Sequence, residues 1–333
     1  MVRDTMPLIL DVDTGIDDSL ALLYAAASAE AELVAVTCVS GNVEARQVAR
    51  NTLGVLELAD RGDVEVALGR EVPLVRPLRT TPETHGPEGI GYATLPEPVG
   101  SLSHRHAADL IIAEAECRPG EITLVTLGPL TNLAVALLRE PRLPQLLDGL
   151  VMMAGSYRSA GNTAPTTEWN VAGDPEAMQV VLAGWAAVPE AARPLALGLD
   201  VTERAKLTPE HLVELRRRAG GLPDSPVLRF VEDALRFYME FHSRYDGFYG
   251  AFIHDALAVA TALDRTLVRA EALAVEVELG GTWTTGETVT DWRRTWERPP
   301  NLDVAVEADI EAFFERLVER LSGLARRAVD VAS

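Results

Sequence analysis

Leu8-Ile9-Leu10-Asp11-Val12-Asp13-Thr14-Gly15-Ile16-Asp17-Asp18, followed by Ser19-Leu20-Ala21-Leu22-Leu23-Tyr24-Ala25, sets four carboxylates within eight residues directly behind an apolar run. The run reads as a buried parallel strand, and the segment after Ile16 carries apolar residues at helical spacing. The acids therefore sit on a strand-to-helix turn. In open α/β sheets, ligands bind in the crevice beyond the carboxyl ends of the strands. Anions packed this closely raise one another's pKa and resist desolvation unless a cation compensates them. A hard divalent metal ion meets that need. Acids in the first turn of a helix also complement its dipole. That accounts for Asp17 and in part for Asp18, but not for Asp11 and Asp13 at the strand end.

Spacing tests two other readings of the cluster. An EF-hand loop needs Gly at its sixth position and Glu at its twelfth; counted from Asp11, those positions hold Ile16 and Leu22. A phosphatase of the haloacid dehalogenase type shares the Asp11-x-Asp13 pair, but its usual Thr two residues after the second Asp is here Gly15. It stays as a Mg²⁺-dependent alternative.

The remaining composition narrows the class. Across 333 residues, 47% are hydrophobic and no apolar run approaches a membrane span. The first residues lack a basic region followed by a secretory apolar core, so a cytoplasmic protein is expected. A formal net charge of −20 argues against nucleic acid or an anionic membrane as partner, because binding phosphates requires fields of Lys and Arg. Cys38 and Cys117 are too few for a disulfide framework, and both are expected to be small buried hydrophobes.

Strand-like and helix-like segments alternate over the first two thirds of the chain. Strands are expected at Glu32 to Ser40, Val64 to Leu68, Ile122 to Leu127 and Leu150 to Ala154. Helices are expected at Glu44 to Ala59, His106 to Cys117, Asn132 to Arg139 and Pro175 to Ala183. The alternation predicts an α/β fold, a mostly parallel central sheet with helices on both faces. Arg70 to Ser103, Gly155 to Gly173 and Gly220 to Gly250 interrupt it as long segments, the last with a helix ending in an aromatic stretch. Loops of such length in a compact domain are commonly functional or disordered. Val275 to Leu279 and Thr288 to Asp291 suggest a small β addition near the C-terminus, and Ile310 to Ala328 an amphipathic helix. Without a Pro/Ser linker, residues 1–333 are expected to form one domain.

Polar residues recur after the expected strand ends: Ser40-Gly41-Asn42, Leu127-Gly128-Pro129-Leu130-Thr131-Asn132, Glu168-Trp169-Asn170, and His254-Asp255 before Ala256-Leu257-Ala258-Val259-Ala260. Each alone reads as a turn, a helix cap, a solvated loop position or a core histidine. With the aspartate turn, and with Asp174-Pro175-Glu176-Ala177 closing the polar loop, the set resembles the inosine-uridine preferring nucleoside hydrolases, in the family's order from residue 8 to about residue 305.

The resemblance implies a Rossmann-like nucleoside hydrolase fold and hydrolysis of the N-glycosidic bond of ribonucleosides, in nucleoside salvage. By position it implies that Asp13, Asp18, the carbonyl of Leu127 and Asp255 hold Ca²⁺, a cation that takes about six to eight oxygen donors. Asp17 then contacts the ribose hydroxyls, and Asn42, Asn162, Glu168 and Asn170 hold the sugar, with Glu168 and Asn162 near the 5′-hydroxyl. Asp13 takes a proton from the attacking water. Cleavage leaves an oxocarbenium-like ribosyl ring, and the departing base needs an acid. His254 matches that role, and His85 matches a base-side histidine. Tyr238, His242 and Tyr245 lie in the region that closes over the base. A homodimer or homotetramer is implied as well.

Thr14 stands where the family has Pro, Ala154 where it commonly has Gly, and one residue is inserted between Met153 and Asn162. His254 beside Asp255 favours the inosine-uridine type over the purine-specific branch, while base preference stays open. A catalytically silent nucleoside or ribose binder on the same scaffold is the alternative from another class. It would have no use for a positioned base and a leaving-group acid.

Overall fold

The computed structural model describes residues 5–186, 188–189, 192–221 and 225–330. Residues 222–224 of the expected Gly220 to Gly250 segment, and the ends of the expected domain, lie outside the described residues. The strands are β1 (Met6–Val12), β2 (Ala31–Cys38), β3 (Glu65–Leu68), β4 (Thr123–Thr126), β5 (Gly149–Met153), β6 (Leu195–Leu197), β7 (Lys206–Leu207), β8 (Ala251–Phe252), β9 (Val268–Leu273), β10 (Val275–Val277), β11 (Thr288–Thr290) and β12 (Leu302–Ala308). Eight of them form one sheet in the order β3-β2-β1-β4-β5-β6-β12-β9, parallel except where β9 pairs antiparallel with β12. Strand order reverses between β1 and β4. That is the switch point at which a doubly wound sheet opens its ligand crevice.

Alternation along β1 sends Leu8, Leu10 and Val12 into one apolar layer and Ile9 into the other. On the first face, the helix Ile16–Ala27 is buried from Ile16 through Ala25. It packs against helices Ala45–Leu58, Asp255–Leu263 and Ile310–Asp330. A helix apolar around its whole circumference belongs in such an interior position. Helices Ala107–Cys117, Thr131–Arg139 and Pro175–Trp185 cover the opposite face. Among the described residues, no helix is long and apolar enough to cross a membrane.

The expected small β addition is the antiparallel pair β10–β11. Three strands of the main sheet, β6, β9 and β12, were not anticipated. β6 has only three residues, and β12 acquires its strand identity by wedging between β6 and β9. The expected loop Gly155 to Gly173 ends in the short helix Trp169–Gly173, and Arg70 to Ser103 contains the single turn Pro82–His85. Cys117 is exposed, contrary to expectation, because it closes the last turn of its helix; Cys38, inside β2, is buried.

Candidate active site

Two helix N-termini aim acids at one point beside the carboxyl end of β1. Past β1 the chain turns at Gly15, and the Asp18 carboxylate folds back over the turn. It accepts the Gly15 N–H at 2.9 Å, the Asp13 N–H at 3.2 Å and the Asn42 side-chain amide at 3.2 Å. The Asp13 carboxylate accepts the Asn42 N–H at 2.8 Å, while its other oxygen, Oδ1, is buried without a partner. Asp255 opens the helix Asp255–Leu263, which packs against Ile16–Ala27. Carboxylate oxygens of Asp17, Asp18 and Asp255 consequently lie within 4.8 Å of one another.

Burial is the first cause that raises the pKa of Asp13, Asp17, Asp18 and Asp255, and the neighbouring carboxylates push Asp13, Asp17 and Asp255 further. A cation among them opposes both causes. The donor set suits a hard ion: carboxylates, an orphaned Oδ1, and the Leu127 carbonyl after β4, which accepts one bond from Asn170 Nδ2 at 2.7 Å and keeps a second lone pair.

Asp11 does not join this group. It is still within the strand, flanked by β2 and β4, and its Oδ1 accepts the Thr37 hydroxyl at 2.6 Å and the Asn132 amide at 2.8 Å. Burial pushes its carboxyl up to about 7. Asn132 is accordingly no helix cap. It bridges Asp11, the Cys38 carbonyl at 3.1 Å and the Arg70 N–H at 2.8 Å beneath the site.

Beside the acids, Glu168 caps the helix Trp169–Gly173, accepting N–H groups from Asn170 at 2.7 Å, Val171 at 3.1 Å and Gly155 at 3.0 Å. Its carboxyl is nonetheless raised, because burial outweighs those bonds. The Asn162 side chain accepts the Trp169 N–H at 2.9 Å from the exposed rim.

The far end of the cleft is aromatic and histidine-rich. His85 Nδ1 accepts the Ile16 N–H at 3.1 Å, which fixes the tautomer with hydrogen on Nε2. His254 Nδ1 lies 2.8 Å from the Thr202 hydroxyl, which itself donates to the Gly198 carbonyl at 3.2 Å, so His254 donates from Nδ1. The short β7–β8 ladder and the Ile253 N–H to Ala205 carbonyl bond hold His254 beside Thr202. Burial draws both histidines down to about 3.

One cavity of about 500 Å³ collects these groups: Asp13, Asp17, Asn42, His85, Leu127, Asn162, Glu168, Asn170, His254 and Asp255 all line it, with Asp18 behind. Tyr238, His242 and Tyr245 line it too, joined by Phe241, Asp246, Phe252 and Glu203, which the sequence reading missed. Helical spacing from Tyr238 through Phe241 and His242 to Tyr245 would have marked Phe241 as part of that face. Phe252 and Glu203 carry no comparable local signal. A larger cavity, about 730 Å³, lies between Leu95, Phe230 and Leu324. None of its charged lining residues is buried, and no histidine lines it.

Comparison with known proteins points to one family. The profile of the family described as inosine-uridine preferring nucleoside hydrolase matches residues 8–315. The chain is 37% identical over 318 residues to the inosine-uridine preferring nucleoside hydrolase of Leishmania major, covering 94% of this chain and 96% of that one. It is 36% identical over 318 residues to the pyrimidine-specific ribonucleoside hydrolase RihA of Salmonella arizonae, covering 95% and 98%. Among solved structures, a purine-preferring ribonucleoside hydrolase from Gardnerella vaginalis superposes with a TM-score of 0.88 at 31% identity, covering 96% of this chain and 99% of the other.

Proposed function

Since the chain belongs to the inosine-uridine preferring nucleoside hydrolase family, and is thereby an N-glycosyl hydrolase, we propose that it is a Ca²⁺-dependent enzyme that cleaves ribonucleosides to free base and ribose. The observation that carries this reading is the meeting, at one cavity, of the Asp17 and Asp255 carboxylates with Asp18 directly behind them, Asp13 with an unpartnered oxygen, and the Glu168–Asn170 corner.

Asp13, Asp18, Asp255 and the Leu127 carbonyl would hold the cation. When bound, it supplies Lewis acidity that makes water easier to deprotonate near neutral pH. Asp13, its Oδ2 held by the Asn42 N–H, takes the proton. Asp17 meets the ribose diol. Asn42, Asn162, Glu168 and Asn170 orient the sugar, and the buried Glu168 carboxylate places negative charge near the ring that becomes cationic. At the far end, His254 meets the departing base, and His85 offers it a neutral N–H. The relatives' names span pyrimidine-specific, purine-preferring and inosine-uridine enzymes. A single catalytic domain, assembly as a homodimer or homotetramer, and action in cytoplasmic nucleoside salvage complete the proposal.

The test is ribose release from a panel of ribonucleosides and nucleotides, with Ca²⁺ and after chelation. Ca²⁺-dependent release from at least one ribonucleoside is expected. Tight nucleoside binding with no release identifies a silent binder. Phosphate release from a phosphorylated substrate with Mg²⁺ identifies a phosphatase, and either result overturns the proposal.

A further inference from the structure

The base-side end of the cavity holds three histidines whose rear nitrogens meet different partners. His85 Nδ1 accepts a backbone N–H, and His254 Nδ1 leans on a hydroxyl. His242 alone leans on a carboxylate, with Nδ1 2.7 Å from Asp246 Oδ2, one helical turn along Pro226–Tyr245 and its C-cap. The other nitrogen of His242, Nε2, is sealed from water and has no hydrogen-bond partner. A buried polar atom without a partner is unfavourable, and at the wall of a substrate cavity a ligand group can supply that partner. Tyr238 at 4.6 Å, Phe252 at 4.8 Å and Phe248 at 5.6 Å between ring centroids hold the imidazole on its sides.

We propose that His242, in place of His254, whose Nδ1 leans on a neutral hydroxyl, is the acid that protonates the departing base, and that Asp246 is the positioning residue that keeps its Nδ1–H in place and stabilises its cation. The inference rests on the reading above, that this cavity cleaves ribonucleosides. As the C1′–N bond breaks, its electron pair passes to the base nitrogen, and a base heteroatom takes the Nε2 proton of the imidazolium. Water delivers hydroxide to C1′ and its other proton to Asp13. His242 then regains a proton from solvent and Asp13 releases one, so the cycle consumes one water and nothing else.

Burial pulls His242 below the ordinary histidine range, and the Asp246 carboxylate opposes that pull. The other titratable groups facing the ring are Tyr238 from its own helix, His85 and His254 across the cavity, and Glu203 with Asp246 at the rim. Lys206 Nζ stands 4.9 Å from the Phe248 ring centre and 5.6 Å from that of Phe252. Asp246 is the carboxylate bonded to His242, so its removal isolates the effect.

The experiment compares His242→Gln and Asp246→Asn with wild type on inosine, uridine and p-nitrophenyl riboside, whose leaving group needs no acid, across pH. His242→Gln is expected to slow the natural substrate about 10²–10⁴-fold and the activated one far less. Activity on the natural substrate should fall as pH rises through the His242 pKa, a decline absent with p-nitrophenyl riboside. Asp246→Asn should move that decline to lower pH. Equal losses on both kinds of substrate, or a decline unmoved by Asp246→Asn, overturn the assignment. Should His242→Gln fail to fold, Asp246→Asn alone decides by the same two readouts. A wild-type protein that releases no ribose from any of the three refutes the nucleosidase reading itself.

Discussion

Gly41→Ala puts the position of the Asp13 carboxylate to the test without touching the carboxylate. A Cβ on Gly41 would lie 2.0 Å from Asp13 Oδ2 and 2.8 Å from its Cγ, and 2.9 Å from Pro129 Cδ. Relief to even a 3.0 Å contact requires a displacement of ~1 Å. Asp13 has little room to retreat, because Gly128 crowds its other side, where a Cβ would stand 2.8 Å from Oδ1. The carboxylate must swing away from the Asn42 N–H, losing a 2.8 Å bond of a kind worth about 1.5–3 kcal/mol. A misplacement of ~1 Å at a reacting group costs about 10²-fold in rate, or about 2.7 kcal/mol of barrier. We expect kcat/KM for the preferred ribonucleoside to fall about 10²-fold, with weakened Ca²⁺ binding by calorimetry and unchanged far-UV circular dichroism. Gly62→Ala is the control, since its Cβ would meet only Glu57 Cγ, at 3.5 Å, on the surface. Wild-type kcat/KM and Ca²⁺ affinity in Gly41→Ala would refute the claim that this loop fixes a working Asp13.

Three further outcomes follow from the same geometry. Thorough chelation should abolish ribose release and Ca²⁺ should restore it, because the acids are unfavourable together without a cation; activity that survives chelation removes the metal from the mechanism. Uridine should be preferred to 2′-deoxyuridine on the order of 10⁴-fold, since a site built around a hydroxyl leaves its own polar groups unmet when that hydroxyl is missing, and 5′-phosphates should be poor substrates beside buried Glu168; comparable kcat/KM for uridine and deoxyuridine would contradict this sugar geometry. For the metal-free protein, the folded-state pKa of Asp11 stands at about 7 against an ordinary 3.8, so the folded chain keeps a proton that the unfolded chain loses, and stability falls as pH rises from about 4 to about 7. Scanning calorimetry should show Tm dropping on the order of 5 °C over that interval and a shallower drop in Asp11→Asn; a rising Tm would reverse the sign.

Local pattern carried much of the fold. The run Leu8–Leu10 had to be a strand buried on both faces, and the residues after Ile16 had to be a helix, because no other packing removes so continuous an apolar surface from water. Strands β2 to β5 and the β10–β11 pair were legible for similar reasons. Leu195–Leu197 was not: three residues are too few to show a period. β9 and β12 were equally hidden, since their Ala, Glu and Asp residues carry little strand propensity.

The sequence by itself determined the chemistry on offer: the carboxylates of the first turn, a strongly acidic overall balance, and an order of polar motifs that resembles one family. Tertiary structure decided which of these groups act together. Asp11 and Asp13 differ by two positions, yet one is bound through Oδ1 to Thr37 and Asn132 inside the sheet while the other has passed the strand end and lines the cavity. Asp255 meets Asp17 and Asp18 because two apolar helices bury their sides against each other. The His242 nitrogen without a partner is visible only once Phe241, Phe248 and Phe252 have closed around it. The physical reason is that composition fixes which groups can ionise or bond, whereas desolvation and the few ångströms between partners, which set how they behave, are properties of the packed chain.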